Sequence, residues 1–204
     1  MRAVSILSAV IAKGEYALTR EIITVLMKRG VEKTAIYETI LQSYLFLGFP
    51  RMIEAALAFN ECYGDFEYPE PITAVTENES QKWFDEGVKL CRRVYGRNYD
   101  KLEKRFLAVS PDLFRWMVFE GYGKVLSRNG LNNIERELAE VAALIVDMRE
   151  RQLMSHILGS LNVGAELDLI KLVLEDITPV AGKEGHELGE KVLARIVDRY
   201  ETEK

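Results

Sequence analysis

The chain has 204 residues, of which 48% are hydrophobic and 29% are charged, and its formal net charge is −5. These values are ordinary for a soluble globular protein, and the length is sufficient for a substantial apolar core. Lysine and arginine are mixed with acidic residues along the whole chain, so no basic face or arm favours a nucleic-acid partner. We therefore expect a soluble protein that does not bind nucleic acid.

The two cysteines, Cys62 and Cys91, lie far apart and match no metal-binding or redox spacing. We expect them to be free thiols or small buried residues. The apolar residues 3–12 resemble a short signal peptide, but Lys13 and Glu15 follow directly, without a small-x-small cleavage site. Because no other segment is apolar enough to span a bilayer, we expect a cytoplasmic protein without a membrane partner.

Apolar residues recur at helical spacing in the first third of the chain, and no useful stretch alternates with period two. The spacing predicts helices over 3–12, 18–28, 34–47 and 51–63. Gly30 is a suitable stop for the second of these helices. Gly48-Phe49-Pro50 predicts a turn between the third and the fourth, since proline suits the start of a helix. The expected fold class is all-α.

The middle of the chain predicts a surface connection followed by more helices. Residues 64–80 contain Asp65, Pro69, Pro71 and Asn78, which is typical of a surface loop. One or two helices are expected over 81–109, and Ser110-Pro111-Asp112 indicates a further helix start. Aromatic residues at helical spacing follow in 113–122. Such a stripe more often packs in a core or at a subunit contact than around a ligand.

The last third predicts a helical hairpin and two further helices. Asn132 or Asn133 can cap the first helix, whose apolar face includes Leu138 and Ile145. A second helix is expected to begin near Arg149, and a third to follow Gly164. After Gly182 a final helix is expected to run to about residue 200.

Four polar residues of this hairpin form the most chemically specific pattern in the chain. Arg149, Gln152 and His156 follow one another at positions i, i+3 and i+7, so they share one helical stripe. A helical hairpin would bring Glu137 of the preceding helix back towards His156. A titratable cluster inside an apolar hairpin is a setting in which pKa values shift, although each residue alone also fits a structural role. His186, in the first turn of the last helix, is expected at the surface.

The sequence also aligns with itself at an offset of 134 residues without a gap. The offset places Gly30 on Gly164 and Gly48 on Gly182, and it keeps the phase of the apolar residues. We interpret this as an internal duplication of one helical unit. At the same offset the four polar residues fall on Ala3, Glu15, Leu18 and Ile22. Only the second copy therefore carries the polar set.

The residues of the hairpin resemble the carboxymuconolactone decarboxylase family, which belongs to the wider alkyl-hydroperoxidase-D-like superfamily. Glu137, Arg149, Gln152 and His156 stand at the positions of that family's pattern, and Gly48-Phe49-Pro50 is similar to a Gly-aromatic-Pro element of the family. In the peroxidase branch a CxxC pair stands where this chain has Arg149 and Gln152. The decarboxylase branch lacks that pair and often has Arg and Glu there, so Gln152 departs from the acidic version.

The resemblance implies a duplicated all-α fold and decarboxylation of a small carboxylated lactone or keto acid without a cofactor. It implies catalytic roles for His156 and Glu137 and substrate binding by Arg149 and Gln152. His156 would donate a proton to the carbanion, and Glu137 would fix its tautomer. Two alternatives stay open. One is a non-catalytic member of the family that binds a small molecule or only assembles, and the other is a peroxidase-like oxidoreductase, which the missing CxxC pair disfavours.

The same resemblance implies a homo-oligomer, either a trimer or a hexamer. The expected domain organisation is a first helical repeat over 1–63, a connecting helical segment over 64–131, and a second repeat over 132–204 that carries the site. Together these segments are expected to form one compact domain.

Overall fold

The computed structural model describes residues 1–64, 66–68 and 75–202, and the described residues contain helices and turns but no strand. The all-α fold class predicted from the sequence is therefore confirmed. The connection predicted over 64–80 lies partly outside the described residues, at position 65 and at positions 69–74.

Nine α-helices are described, in an order that follows the predicted pattern. They are α1 (Arg2–Lys13), α2 (Tyr16–Lys28), α3 (Lys33–Cys62), α4 (Glu77–Tyr95), α5 (Tyr99–Val109), α6 (Pro111–Trp116), α7 (Asn133–Val146), α8 (Glu150–Val163) and α9 (Leu167–Thr202). A 3-10 turn (Gly96–Asn98) separates α4 from α5, and a π-helix (Met117–Val125) continues α6.

Two of the predicted helix pairs follow one another directly, and the two helices of each pair meet at a sharp kink. α3 joins the helices predicted over 34–47 and 51–63, and its one non-helical residue is Gly48, with φ 77° and ψ 167°. α9 has the same break at Gly182, with φ 69° and ψ −175°. Only glycine adopts this conformation readily, so each glycine allows one helix to follow the other directly at an angle. The turn predicted at Gly48-Phe49-Pro50 is thus a kink.

The described residues divide into two compact units. The first comprises Met1–Gly64 and Gly130–Lys204, and the second comprises Asp65–Asn129. In the first unit α1 packs against α7, and each of them also contacts α3 and α9. Small residues allow this close approach, and Ser8 Oγ donates a 2.7 Å hydrogen bond to the carbonyl of Ala139.

The second unit is built on the contact between α4 and the π-helix. A side chain at Gly87 would lie 2.1 Å from the carbonyl oxygen of Val118, and one at Gly123 would lie 2.0 Å from the carbonyl oxygen of Trp83. The two elements therefore approach backbone to backbone through this pair of glycines. Trp83 also packs edge-on against Phe119, so part of the aromatic 113–122 stripe packs within this unit.

The start of α7 follows the capping rules used for the prediction. Asn132 Oδ1 accepts a 2.9 Å hydrogen bond from the amide of Glu135, whose carboxylate accepts a 3.0 Å hydrogen bond from the amide of Asn132. This reciprocal capping box confirms Asn132 as the cap of α7. Across the described part of the chain, no helix combines the length and the apolar character that crossing a membrane requires.

Candidate functional site

The hairpin of α7 and α8 brings together three buried ionisable side chains. Glu137 and Glu140 are three residues apart on α7 and project towards α8, where His156 faces them. His156 Nδ1 lies 3.0 Å from Oε2 of Glu137 and 2.7 Å from Oε2 of Glu140. The side chains of His156, Glu137 and Glu140 are 7%, 3% and 0% exposed, respectively. The predicted contact between Glu137 and His156 is thus present.

The two carboxylates do not share His156 equally. Nδ1 carries at most one hydrogen, and the geometry directs this hydrogen to Glu137 rather than to Glu140. The shorter approach to Glu140 is therefore an ion contact without a hydrogen bond. Neither carboxylate oxygen of Glu140 accepts a hydrogen bond from any residue that the structure describes. A buried carboxylate without a donor is costly, so Glu140 is the least satisfied group of the cluster.

Burial and mutual charge shift the proton equilibria of this cluster. Burial raises the pKa of Glu137 to about 7, with a further rise from the charge of Glu140, while the charge and hydrogen bond of His156 act in the opposite direction. Burial alone would lower the pKa of His156. The charges of Glu140 and Glu137, and contacts with both, outweigh it and raise the pKa of His156 well above its usual range. The direction of this shift favours the protonated form of the imidazole.

A second buried polar network fixes α7 beside the cluster. Arg136 donates a 3.0 Å hydrogen bond to Gln42 and another of 3.0 Å to Glu38, both on α3. Gln42 in turn donates to the backbone carbonyl of Arg136, at 3.2 Å. These bonds hold the residue immediately before Glu137 in one register against α3. From the same helix, Phe46 packs at 87° to the His156 ring, with the ring centroids 5.2 Å apart.

The other two residues of the predicted polar set, Arg149 and Gln152, lie outside this cluster. Arg149 is the residue before α8, its side chain is 61% exposed, and its Nε donates to Asp147 at 2.6 Å. Gln152 is exposed as well. Both share a stripe with His156, but Arg149 lies about 10 Å from it along the helix axis. The stripe therefore runs from the exposed start of α8 into its buried interior, and Arg149 does not lie beside His156.

The second histidine and the two cysteines also lie apart from the cluster. His186 is half-buried, and its Nδ1 donates to Thr178 Oγ1 at 2.9 Å, since that hydroxyl donates its own hydrogen to the carbonyl of Leu174. Cys62 ends α3 and Cys91 is buried on α4, in different units, and the two do not form a disulfide. None of these three residues belongs to the group of potential metal ligands, which consists of Glu137, Glu140 and His156.

Glu140 is the site residue that the sequence reasoning missed. A signal was present, because Glu140 lies three residues after Glu137 and both fall among apolar residues of one buried helix. An acidic residue on an apolar stripe is unusual unless it is paired or used.

Comparisons with known proteins add no identification. Neither a protein-family model nor a curated protein matches this chain.

Proposed function

We propose that this protein is an acid–base enzyme in which His156 transfers a proton to or from a small carboxylated substrate. One observation supports this above all others: His156 Nδ1 is held between two buried carboxylates, Glu137 and Glu140. Such an arrangement fixes the orientation of the ring and leaves Nε2 as the nitrogen that does not face the carboxylates. The charges of both carboxylates also favour the protonated imidazole, which is the form that a general acid requires.

The substrate class and the reaction come from the resemblance to the carboxymuconolactone decarboxylase family. In the proposed reaction the bond between the substrate and its carboxylate carbon breaks, and carbon dioxide leaves. The electron pair of that bond delocalises into an unsaturated lactone or an adjacent keto group, which gives an enolate-type anion. His156 Nε2 then donates its proton to the carbanion carbon. The reaction needs no external oxidant or reductant, and the proposal includes no cofactor.

In this proposal Glu137 and Glu140 act through His156. Glu137 accepts the Nδ1 hydrogen and so fixes the tautomer, while the charge of Glu140 stabilises the imidazolium. The resemblance assigns the substrate carboxylate to Arg149 and Gln152. Both side chains lie at the exposed start of α8, so binding by Arg149 would require its guanidinium to exchange Asp147 for the substrate. The role of Arg149 is therefore tested separately.

A second candidate function is supported by the burial of the cluster. His156 and Glu137 are almost fully enclosed, which also suits a structural ion contact in a non-catalytic member that only binds a small molecule or assembles. The peroxidase alternative receives no support from the described residues, because neither Cys62 nor Cys91 lies on α8. A dithiol cycle requires two neighbouring thiols.

Release of carbon dioxide separates the two remaining functions. The purified protein is incubated with a panel of carboxylated lactones and β-keto acids, and the release is measured for the wild type and for His156→Gln, Glu137→Gln and His186→Gln. The acid–base proposal expects turnover in the wild type, a loss of 100-fold or more in His156→Gln, and unchanged turnover in His186→Gln. Arg149→Ala is expected to raise KM more than it lowers kcat.

Absence of carbon dioxide release across the panel, together with ligand binding that persists in His156→Gln, would favour the non-catalytic function. Equal turnover in the wild type and in folded His156→Gln would refute the role of the histidine.

We also propose that the first unit is a duplicated helical unit and that the protein assembles as a trimer or hexamer. The 134-residue offset maps the starts of α2 and α3 onto those of α8 and α9, and the kink at Gly48 onto the kink at Gly182. It also maps Gly14 onto Met148, the one described residue other than glycine with a positive φ, of 60°. These coincidences support the duplication. Assembly is supported by the resemblance and by exposed apolar side chains such as Phe49 and Trp116.

A further inference from the structure

We propose that Glu137, Glu140 and His156 form a binding site for one divalent transition-metal cation. The three side chains offer two carboxylate oxygens and one imidazole nitrogen, and these atoms all lie within 4.8 Å of one another. Metal–ligand bonds to such atoms are about 2.0–2.2 Å long, so two ligands of one ion lie about 3–3.5 Å apart. The 2.7 Å and 3.0 Å separations from Nδ1 would need to widen by only a few tenths of an ångström.

An unpartnered buried group points to the missing ligand. Both oxygens of Glu140 are buried without a hydrogen-bond donor from the described residues, and the side chain is aimed at His156. The single Nδ1 hydrogen serves Glu137, so no proton in the cluster can satisfy both carboxylates. A cation between the three side chains would contact Glu137, Glu140 and Nδ1 at the same time.

The charges of the cluster match a dication. With a neutral imidazole, the two carboxylates carry a charge of −2, which a divalent ion cancels. Within the described residues neither carboxylate is paired with a lysine or an arginine, and their one ionic partner is His156. Arg136, adjacent in sequence, is bonded to Glu38 and Gln42. A buried net charge is strongly unfavourable, so a dication or bound protons must balance it.

The composition of the ligand set selects the class of ion. One imidazole and two carboxylates suit Zn²⁺, Mn²⁺ or Fe²⁺, whereas Mg²⁺ and Ca²⁺ prefer oxygen ligands throughout. The ligands are placed on the facing helices α7 and α8, and Phe46 packs against the imidazole ring. Three protein ligands leave at least one coordination position for water or a small anion.

The equivalent positions in the first half show that the helical hairpin does not need these ligands. At the 134-residue offset, Glu137, Glu140 and His156 correspond to Ala3, Ile6 and Ile22, which are all apolar. The cation site goes beyond the proposed acid–base function and does not depend on it, since binding can be measured without any substrate. A cation on Nδ1 would displace the proton there, so it would inhibit the proposed proton transfer.

The test uses the full-length protein without a histidine tag, stripped with a chelator. Isothermal titration with Zn²⁺ and optical titration with Co²⁺ are compared for the wild type, Glu140→Gln, His156→Gln and the matched control His186→Gln. We expect one cation per chain in the wild type and in His186→Gln, with an affinity loss of at least 10-fold in the other two variants. Proton release on binding is expected to increase as the pH falls below neutral.

A measurement on the wild type keeps the test valid if a cluster variant fails to fold. With only two histidines in the chain, ring signals of ¹⁵N-histidine-labelled protein can be assigned individually. Substoichiometric Mn²⁺ is expected to broaden the signals of His156 before those of His186. Broadening of His186 first, no binding, or binding that survives Glu140→Gln and His156→Gln unchanged would overturn the proposal. Binding with no effect on turnover would leave the cation site standing and count against the acid–base function.

Discussion

The hydrogen on His156 Nδ1 faces two buried carboxylates, and only one of them can accept it. Glu137 receives this hydrogen at 3.0 Å, while Glu140 remains 2.7 Å from the same nitrogen without a hydrogen bond. The cluster is therefore organised for its contacts with a proton or an ion rather than for hydrogen-bond satisfaction alone. Its energetics should depend on pH and on added cations, and two predictions follow this dependence.

The effect of Glu140→Gln on the free energy of unfolding should change sign when a cation is added. In chelator at pH 8, we expect Glu140→Gln to raise the free energy of unfolding by about 1–3 kcal/mol, because it removes a buried charge that no donor satisfies. With Zn²⁺ at about 100 times its Kd, binding should stabilise the wild type by about 2.7 kcal/mol and the variant much less. Urea unfolding under both conditions measures the difference in unfolding free energy between the variant and the wild type, and so its change of sign. A variant less stable than the wild type in chelator would contradict this account.

The free energy of unfolding should also depend on pH through the ionisable residues of this cluster. The folded-state pKa of Glu137 is raised to about 7, so folding disfavours its ionised form, and stability is lost as the pH rises from about 4.5 to about 7. The pKa of His156 is raised as well, so its contribution is present below about 6.5 and is lost as the pH rises through its folded value. Both groups act in the same direction.

In chelator we therefore expect the wild type to be less stable at pH 8 than at pH 5.5, through this cluster. The groups that face His156 are Glu137 and Glu140 on α7 and the uncharged Phe46 on α3. Chemical unfolding across this range, with Glu137→Gln as the comparison, isolates the contribution. An identical pH profile in the wild type and in Glu137→Gln would show that the carboxyl is not responsible.

The buried arginine beside the cluster allows a matched comparison within one chain. Arg136 pairs with Glu38, both side chains being 2% exposed, whereas Arg2, its counterpart at the 134-residue offset, makes a surface pair with Asp176. Arg136→Met should lower the free energy of unfolding by about 3–5 kcal/mol, because the buried carboxylate of Glu38 would lose the guanidinium that donates a 3.0 Å hydrogen bond to it. Arg2→Met should have little effect, since solvent screens an exposed pair. If urea unfolding gave equal losses of unfolding free energy for Arg136→Met and Arg2→Met, the distinction between the buried and the exposed pair would be refuted.

At the scale of elements, the contact between α4 and the π-helix depends on two glycines. A Cβ at Gly87 or Gly123 would lie about 2 Å from a backbone oxygen of the opposite element, and a backbone cannot move aside as a flexible side chain can. We expect Gly87→Ala and Gly123→Ala to destabilise the second unit by about 1–3 kcal/mol or more. Gly121→Ala is the control, because a Cβ there meets no atom within 4 Å.

Amide hydrogen exchange gives the readout for this prediction. Faster exchange should be confined to α4 and the π-helix in the first two variants and be absent from Gly121→Ala. If α4 and the π-helix exchanged as slowly in Gly87→Ala as in the wild type, these two elements would not need this close approach.

Helical periodicity predicted most elements because apolar residues and capping residues act locally. Asn132 was predicted as a cap and caps α7, and Gly30 ends α2 with a positive φ of 73°. The π-helix was not predicted, since its bonds span five residues and no local residue preference distinguishes it from an α-helix. Gly48 was read as a turn because a glycine before Phe-Pro also permits a chain reversal, and only tertiary packing decides between a turn and a kink.

The site was predictable in part for the same reason. Spacing alone brought Glu137 to His156, as the structure confirms at 3.0 Å. Spacing could not show where along the stripe of α8 burial begins. Arg149 shares the stripe with His156, but its side chain lies at the exposed start of the helix. Arg136 is 94 positions from Gln42 and 98 positions from Glu38 in the sequence, and no local pattern predicts hydrogen bonds between residues so far apart.

For the whole molecule, assembly is the property most directly open to test. Apolar side chains such as Phe49, Ile53 and Leu57 are exposed at four-residue spacing on the second part of α3. We expect sedimentation equilibrium at micromolar concentration to give a trimer or a hexamer of the 23.3 kDa chain. Replacing Ile53 with aspartate would then shift the distribution towards smaller species if this face is an interface. A stable wild-type monomer would refute the assembly proposal.

The crossed packing of the first unit has an evolutionary consequence. α1 contacts α9 and α3 contacts α7, so each half of the proposed duplication buries helices of the other half. A single ancestral copy would have exposed these surfaces unless it paired with an identical copy, and such a symmetric pair would carry every residue change twice. Covalent joining removes that constraint. One half can then gain a histidine and two glutamates while the other keeps isoleucine and alanine at the same places, so that a single ionisable site arises in a nearly symmetric frame.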